Sequence, residues 1–68
     1  MSEYRAMRAI ISNLRTRGGQ GVLHAEYFPH MTYSEYLTAI NQLRKTGAIV
    51  YLGACTYELG FDLRRGCE

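Results

Sequence analysis

The apolar residues near the start of the chain recur with the period of an α-helix. At 100° per residue, the apolar positions between Glu3 and Arg17 fall on one stripe of an amphipathic helix. Ser2 is a suitable N-cap, and Gly18-Gly19 supplies the positive φ at which helices commonly end. The pattern therefore predicts a first helix whose apolar stripe consists of Tyr4, Met7, Ile10, Ile11 and Leu14.

A glycine-rich linker follows, and then a short apolar segment that covers residues 22–28. Pro29 ends this segment, because the residue before a proline is pushed out of the helical region. We expect a second helix of about two turns here, with a strand as the alternative.

The strongest local signal is a capping box formed by Thr32 and Glu35. In this motif the threonine hydroxyl and the glutamate carboxylate satisfy two backbone N–H groups at a helix start. A third helix is predicted to begin at Tyr33 and to run to Thr46, with Gly47 as its left-handed C-cap. Its apolar face carries Tyr36, Ala39, Ile40 and Leu43.

Two β-prone runs complete the pattern. Residues 48–52 and 55–59 are rich in β-branched and aromatic side chains, and they are joined across Gly53-Ala54, which predicts a β-hairpin. We expect one domain over residues 1–68, with 60–68 as a loose tail from which Phe61 and Leu63 could dock on the core. The expected core is Met7, Ile10, Ile11, Leu14, Leu23, Tyr36, Ile40, Leu43, Ile49 and Leu59.

This order of elements resembles the winged helix-turn-helix superfamily over residues 3–60. The resemblance is carried by the capping box, by the apolar spacing of the third helix, and by the run from Arg44 to Val50. Within the superfamily the chain looks most like the small fimbrial-operon regulators of the PapI type. The resemblance implies a small α+β winged helix-turn-helix fold, with three helices followed by a β-hairpin wing. It also implies a DNA-binding transcriptional regulator whose third helix enters the major groove.

The polar face of the third helix is the candidate reading surface. Its side chains lie within about 60° of one another, opposite the apolar face, and each can hydrogen-bond to base edges. The alternative is that they are simply the solvated face of an amphipathic helix. The predicted base contacts are Ser34, Thr38, Asn41 and Lys45, and the predicted backbone contacts are Arg5, Arg8, Arg15 and Arg44.

Composition narrows the function classes. A chain of 68 residues has room for one thin core and little room for a closed substrate pocket, so we predict no enzyme and no cofactor. The formal net charge is +2, and the excess lies in residues 1–34. No apolar run approaches the roughly 20 residues of a membrane span, and the first residues interleave charged with apolar positions. We therefore expect a cytoplasmic protein without a membrane partner.

The cysteines and histidines do not form a recognisable metal motif. Two cysteines are too few for a disulfide scaffold. His24, His30, Cys55 and Cys67 lack the close pairs that structural zinc sites use, so no metal site is predicted. Cys55 is interpreted as a small buried hydrophobic residue, and Cys67 as a free thiol.

Several features favour a protein partner instead of DNA. The hairpin contains no Lys or Arg, Glu35 lies in the first turn of the reading helix, and six tyrosines are many for this length. The alternative function is a winged-helix interaction module, such as a mobile-element-encoded inhibitor or adaptor of a nucleic-acid-handling complex. Its interface would use Tyr33, Leu37, Tyr51 and Tyr57. The leading expectation is nevertheless double-stranded DNA as the partner, bound by a homodimer or together with a larger protein.

Overall fold

Two α-helices and a three-stranded antiparallel sheet form the α+β fold. The computed structural model describes residues 3–60. The predictions for Ser2, Phe61, Leu63 and Cys67 lie outside these residues. Along the chain the elements are α1 (Glu3–Thr16), β1 (Gln20–Val22), a 3₁₀ turn (Ala25–Tyr27), α2 (Tyr33–Lys45), β2 (Ile49–Gly53) and β3 (Thr56–Leu59). The strand order in the sheet is β1-β3-β2.

The prediction of a helix over residues 22–28 is wrong. Val22 ends β1, and only Ala25–Tyr27 is helical, as a single 3₁₀ turn. The physical reason is a distant pairing: Gly21 lies opposite Tyr57, so this segment hydrogen-bonds to a strand far away in sequence. The fold therefore has two α-helices in place of the predicted three, and the predicted hairpin is part of a larger sheet.

Local signals correctly placed the ends of α2. The hydroxyl of Thr32 accepts a hydrogen bond from the Glu35 N–H at 3.1 Å, and the Glu35 carboxylate accepts one from the Thr32 N–H at 2.7 Å. Gly47 has a φ of +81°, and after it the Ala48 N–H donates to the Leu43 carbonyl at 2.9 Å. Both caps satisfy backbone groups that a helix end leaves unpaired.

The core lies where α1 and α2 pack on each other and on the sheet. The buried stripe of α1 is rotated from the predicted one: Ala6 is buried, Met7 and Ile11 are half-buried, and Tyr4 is 64% exposed. A hydrophobicity pattern undervalues alanine, although its small side chain allows close packing between helices. The buried core is Ala6, Ile10, Leu14, Leu23, Phe28, Met31, Tyr36, Ala39, Ile40, Leu43, Ile49 and Leu59.

Ile40→Ala should strongly destabilise the fold, because Ile40 is only 3% exposed and its loss leaves a cavity. We expect a decrease of about 2–5 kcal/mol in the free energy of unfolding, measured by urea denaturation. The control is Leu37→Ala on the same helix, since Leu37 is 40% exposed. Equal losses for the two variants would contradict this register of α2.

The fold should also lose stability in alkali. Tyr36 packs in the core beside Phe28, with ring centroids 5.8 Å apart, and burial raises the pKa of Tyr36 to about 12. An unfolded tyrosine ionises near pH 10, so this stability is complete below pH 10 and is lost as the pH rises towards 12. Melting curves across this range should show a smaller loss for Tyr36→Phe than for the natural protein. An unchanged pH dependence would contradict this role of Tyr36.

Candidate nucleic-acid interface

The predicted reading face exists as an open surface of α2. All four predicted base-contacting residues are exposed, on the side of the helix opposite the core. Within residues 3–60, none of these four side chains forms a hydrogen bond or an ion pair. Their donors and acceptors are therefore available to an external ligand. We define Ser34, Thr38, Asn41 and Lys45 as the polar face.

A second exposed surface carries the basic side chains of α1. Arg5, Arg8 and Arg15 lie on the side of this helix opposite its buried stripe, and they line an open groove of about 640 Å³ together with Tyr4 and Ser12. The Arg8 guanidinium lies 5.6 Å from the centre of the Tyr4 ring. Guanidinium groups suit phosphate oxygens, so this basic groove has the chemistry of a backbone contact.

Two carboxylates adjoin the polar face. Glu3, at the start of α1, and Glu35 line a hollow of about 220 Å³ together with Ser34 and Thr38. The packing of α1 on α2 thus brings negative charge to the end of the polar face nearest the α2 N-terminus. Carboxylates repel phosphates, although they can accept a hydrogen bond from the cytosine amino group. We call the hollow lined by Glu3 and Glu35 the acidic hollow. It places negative charge beside the first turns of the polar face.

Arg44 does not join the other predicted backbone contacts. Its guanidinium lies 5.2 Å from the centre of the Tyr51 ring, which connects the last turn of α2 to the hairpin. Tyr51 in turn packs across the strands against Tyr57, with ring centroids 5.1 Å apart. Burial raises the pKa of Tyr57, and the nearby Arg44 opposes that rise. The structure thus groups Arg44 with the predicted protein-interface residues.

These interface residues differ in exposure. Tyr33 is 66% exposed and Tyr51 is 45% exposed, whereas Tyr57 is half-buried against the core. Leu37 and Tyr33 occupy the flank of α2 between the core and the polar face. We call Tyr33, Leu37, Tyr51 and Tyr57 the aromatic surface. It offers area for a partner beside the polar face but separate from the basic groove.

Glu3 and Arg17 make contacts that the sequence patterns do not predict. Glu3 meets the polar face only because α1 packs on α2, which no local pattern shows. Arg17 donates one hydrogen bond to the Asn13 side chain at 2.9 Å and one to the Val22 carbonyl at 2.5 Å. The i, i+4 spacing of Asn13 and Arg17 could have indicated the first contact, but the second requires the turn into β1.

Cys55, expected to be buried, is exposed in the hairpin turn with a φ of +61°.

Residues 3–60 contain neither a metal-binding cluster nor a membrane-spanning helix. In residues 3–60, no three His, Cys, Asp or Glu side chains come together in a group that could hold a metal ion. Neither helix in this range combines the length and apolar character needed to cross a membrane.

Known proteins do not define a family for this chain. Comparisons with family models, with curated proteins and with solved structures find no match. Its function is therefore inferred from the chemistry and geometry of its own residues.

Glu3→Gln should raise the affinity for duplex DNA if the polar face approaches phosphates. Removing one repulsive charge at an exposed site should strengthen binding by about two- to fivefold at low salt, and the gain should shrink as salt is added. Glu26→Gln is the control, because it makes the same charge change in the 3₁₀ turn. Fluorescence anisotropy provides the affinities. Equal gains for both variants would show that only the net charge matters.

Proposed function

We propose that this protein is a small DNA-binding transcriptional regulator that places the polar face of α2 in the major groove. The observation that carries the proposal is the availability of this face: four exposed side chains have no partner within residues 3–60, on a helix of 13 residues. The major groove, about 12 Å wide, admits an α-helix. Asn41 could bond bidentately to adenine, and Lys45 could bind guanine or phosphate.

The order of elements supports a winged-helix interpretation. In this view the 3₁₀ turn Ala25–Tyr27 is a shortened second helix, α2 is the reading helix, and β2 and β3 form the wing. The capped start of α2 follows the turn closely, as a helix-turn-helix arrangement requires. The second helix of this interpretation is a single turn of three residues, whereas the sequence predicted about two turns.

The charges predict modest affinity for one copy. Arg5, Arg8 and Arg15 are the proposed phosphate contacts, and the hairpin has no Lys or Arg to add. Phosphate neutralisation supplies much of the affinity in protein–DNA complexes, so few cations imply weak binding by one domain. We therefore propose that binding occurs as a dimer or beside a partner protein.

Asn41→Ala should reduce specific binding by about 1–3 kcal/mol, because one base-edge contact is lost. The matched control is Gln20→Ala, which removes an exposed amide from β1 and leaves α2 unchanged. Duplexes enriched from a random library would provide the sites, and anisotropy titrations would provide the affinities. An equal effect of both substitutions would argue against this reading face.

Arg8→Ala in the same titrations should weaken all duplexes alike and lower the slope of log affinity against log salt by about 1. This response separates a phosphate contact from a base contact. The absence of binding to any duplex at low salt would overturn the proposed function.

The aromatic surface and the acidic hollow favour a second candidate, a protein-interaction module. Tyrosine is enriched at protein interfaces, and the carboxylates of Glu3 and Glu35 disfavour a nucleic acid at one end of α2. This candidate predicts weak DNA binding that is uniform across sequences. It also predicts that Asn41→Ala leaves that binding unchanged.

A further inference from the structure

The sheet has two outer edges that differ in how they are protected. With the order β1-β3-β2, strands β1 and β2 each have one side without a strand partner within residues 3–60. Such an edge presents unpaired N–H and C=O groups that can hydrogen-bond to another strand. Proteins that remain monomeric usually guard their edges with charged side chains, proline or short strands.

The edge of β1 is guarded. This strand has only three residues. Hydrogen bonds from Leu59 N–H to the Gly19 carbonyl and from Leu23 N–H to the Cys55 carbonyl flank it on the β3 side. By the antiparallel alternation, Gly21 then faces β3 and Val22 faces outward. The Arg17 guanidinium donates to that outward Val22 carbonyl at 2.5 Å, so a charged side chain covers this edge.

The backbone of β2 can be assigned by the same alternation. Gly60 N–H donates to the Ala48 carbonyl at 2.7 Å, which makes these two residues a hydrogen-bonded pair. Two residues further along, Val50 and Glu58 form the next such pair. The N–H and C=O groups of Ile49 and Tyr51 must therefore point away from β3, towards the open edge.

The side chains along this open edge are apolar and exposed. Val50 is 48% exposed, Tyr51 is 45% exposed and Leu52 is 49% exposed. The strand Ile49–Gly53 contains no charged residue and no proline, and its register against β3 shifts between Tyr51 and Gly53. It therefore has none of the side chains that usually prevent strand pairing at an edge.

We propose that β2 pairs antiparallel with β2 of a second copy of this chain, about a two-fold axis at Tyr51. In this register the N–H of Tyr51 donates to the carbonyl of Tyr51 in the second copy. The N–H of that Tyr51 donates back, so the two residues form a hydrogen-bonded pair. Val50 lies across from Leu52 of the second copy, the residue at which β2 shifts its register against β3. The two sheets become one sheet of six strands.

A second copy suits this edge because the strand is complementary to itself. A two-fold axis at Tyr51 sets each exposed apolar side chain opposite another apolar side chain. The strand itself contains no charged residue, and the Arg44 guanidinium beside it lies 5.2 Å from the centre of the Tyr51 ring. Because Arg17 covers the edge of β1, the sheet cannot continue to grow there. The pairing therefore closes as a dimer.

This pairing does not depend on DNA binding. Its surface, the edge of β2, is distinct from the polar face of α2. One strand pair buries little area by the standard of stable interfaces, so the dimer should form and dissociate with protein concentration.

The first test is sedimentation equilibrium of the purified full chain without DNA, over a range of concentrations. The natural protein should show a monomer–dimer equilibrium, and Val50→Lys should shift it to monomer. The variant should still fold, because Val50 is half-exposed and because the introduced lysine would lie across from the carboxylate of Glu58. Leu37→Lys is the control, an apolar-to-lysine change on an exposed residue of α2, and it should leave dimerisation unchanged.

A charge exchange tests the register. In the double variant Val50→Lys with Leu52→Glu, each introduced lysine faces an introduced glutamate of the second copy, so dimerisation should recover. In Val50→Lys with Leu52→Lys, lysines face lysines and the protein should remain monomeric. Both variants lose the same two apolar side chains, so only the two-fold register predicts the difference. Circular dichroism melting confirms that each variant is folded.

Three results would overturn the inference. They are a natural protein that stays monomeric at every concentration, a dimer that Val50→Lys leaves intact, and two double variants that behave alike. A dimer lost in Leu37→Lys but kept in Val50→Lys would place the interface on α2, around Leu37, and not on the edge of β2. The anisotropy titrations measure duplex binding separately, so a failure of the strand pairing and a failure of DNA binding are distinguishable.

Discussion

The double pairing of β3 is the interaction on which the rest of the structure depends. On one side β3 pairs with β2 through a tight turn, and on the other it pairs with β1, more than 30 residues earlier in the chain. Leu59 occupies the junction: its side chain is buried, and its N–H donates to the Gly19 carbonyl at 2.8 Å. This contact fixes the end of α1 against the sheet. Since α1 also packs on α2, it sets which side of α2 remains outward.

The same junction constrains the chain beyond β3. A side chain at Gly60 would collide with the carbonyl oxygen of Gly47, so the end of β3 passes directly against the loop that ends α2. The Gly60 N–H donates to the Ala48 carbonyl there. Two glycines thus allow the hairpin to return close to α2. That return places Tyr51 within reach of Arg44 and joins the hairpin to α2.

The elements predicted from sequence are those whose signals are local. The capping box of Thr32 and Glu35 and the C-cap at Gly47 specify α2 through contacts within a few residues, so the exposure of the polar face follows from its helical period. The pairing of β1 with β3 has no such signal, because Gln20–Val22 becomes a strand only against its distant partner. The rotation of α1 towards Ala6 also depends on helix packing. The approach of Glu3 to Ser34 is a further consequence of that packing, which is why the acidic hollow was missed.

Exposed apolar side chains in so small a domain need separate explanations. A chain of this size buries only about 60% of the surface that its unfolded form exposes, so the exposure of a single residue such as Tyr4 needs no partner to explain it. Val50, Tyr51 and Leu52 differ, because they are consecutive and lie along backbone groups that have no strand partner within residues 3–60. The small volume of the core explains why a single apolar side chain is exposed. It does not explain why the edge of β2 lacks a charged residue while Arg17 covers the edge of β1. The contrast between Arg17, which covers the edge of β1, and β2, which contains no charged residue, therefore favours strand pairing at the edge of β2.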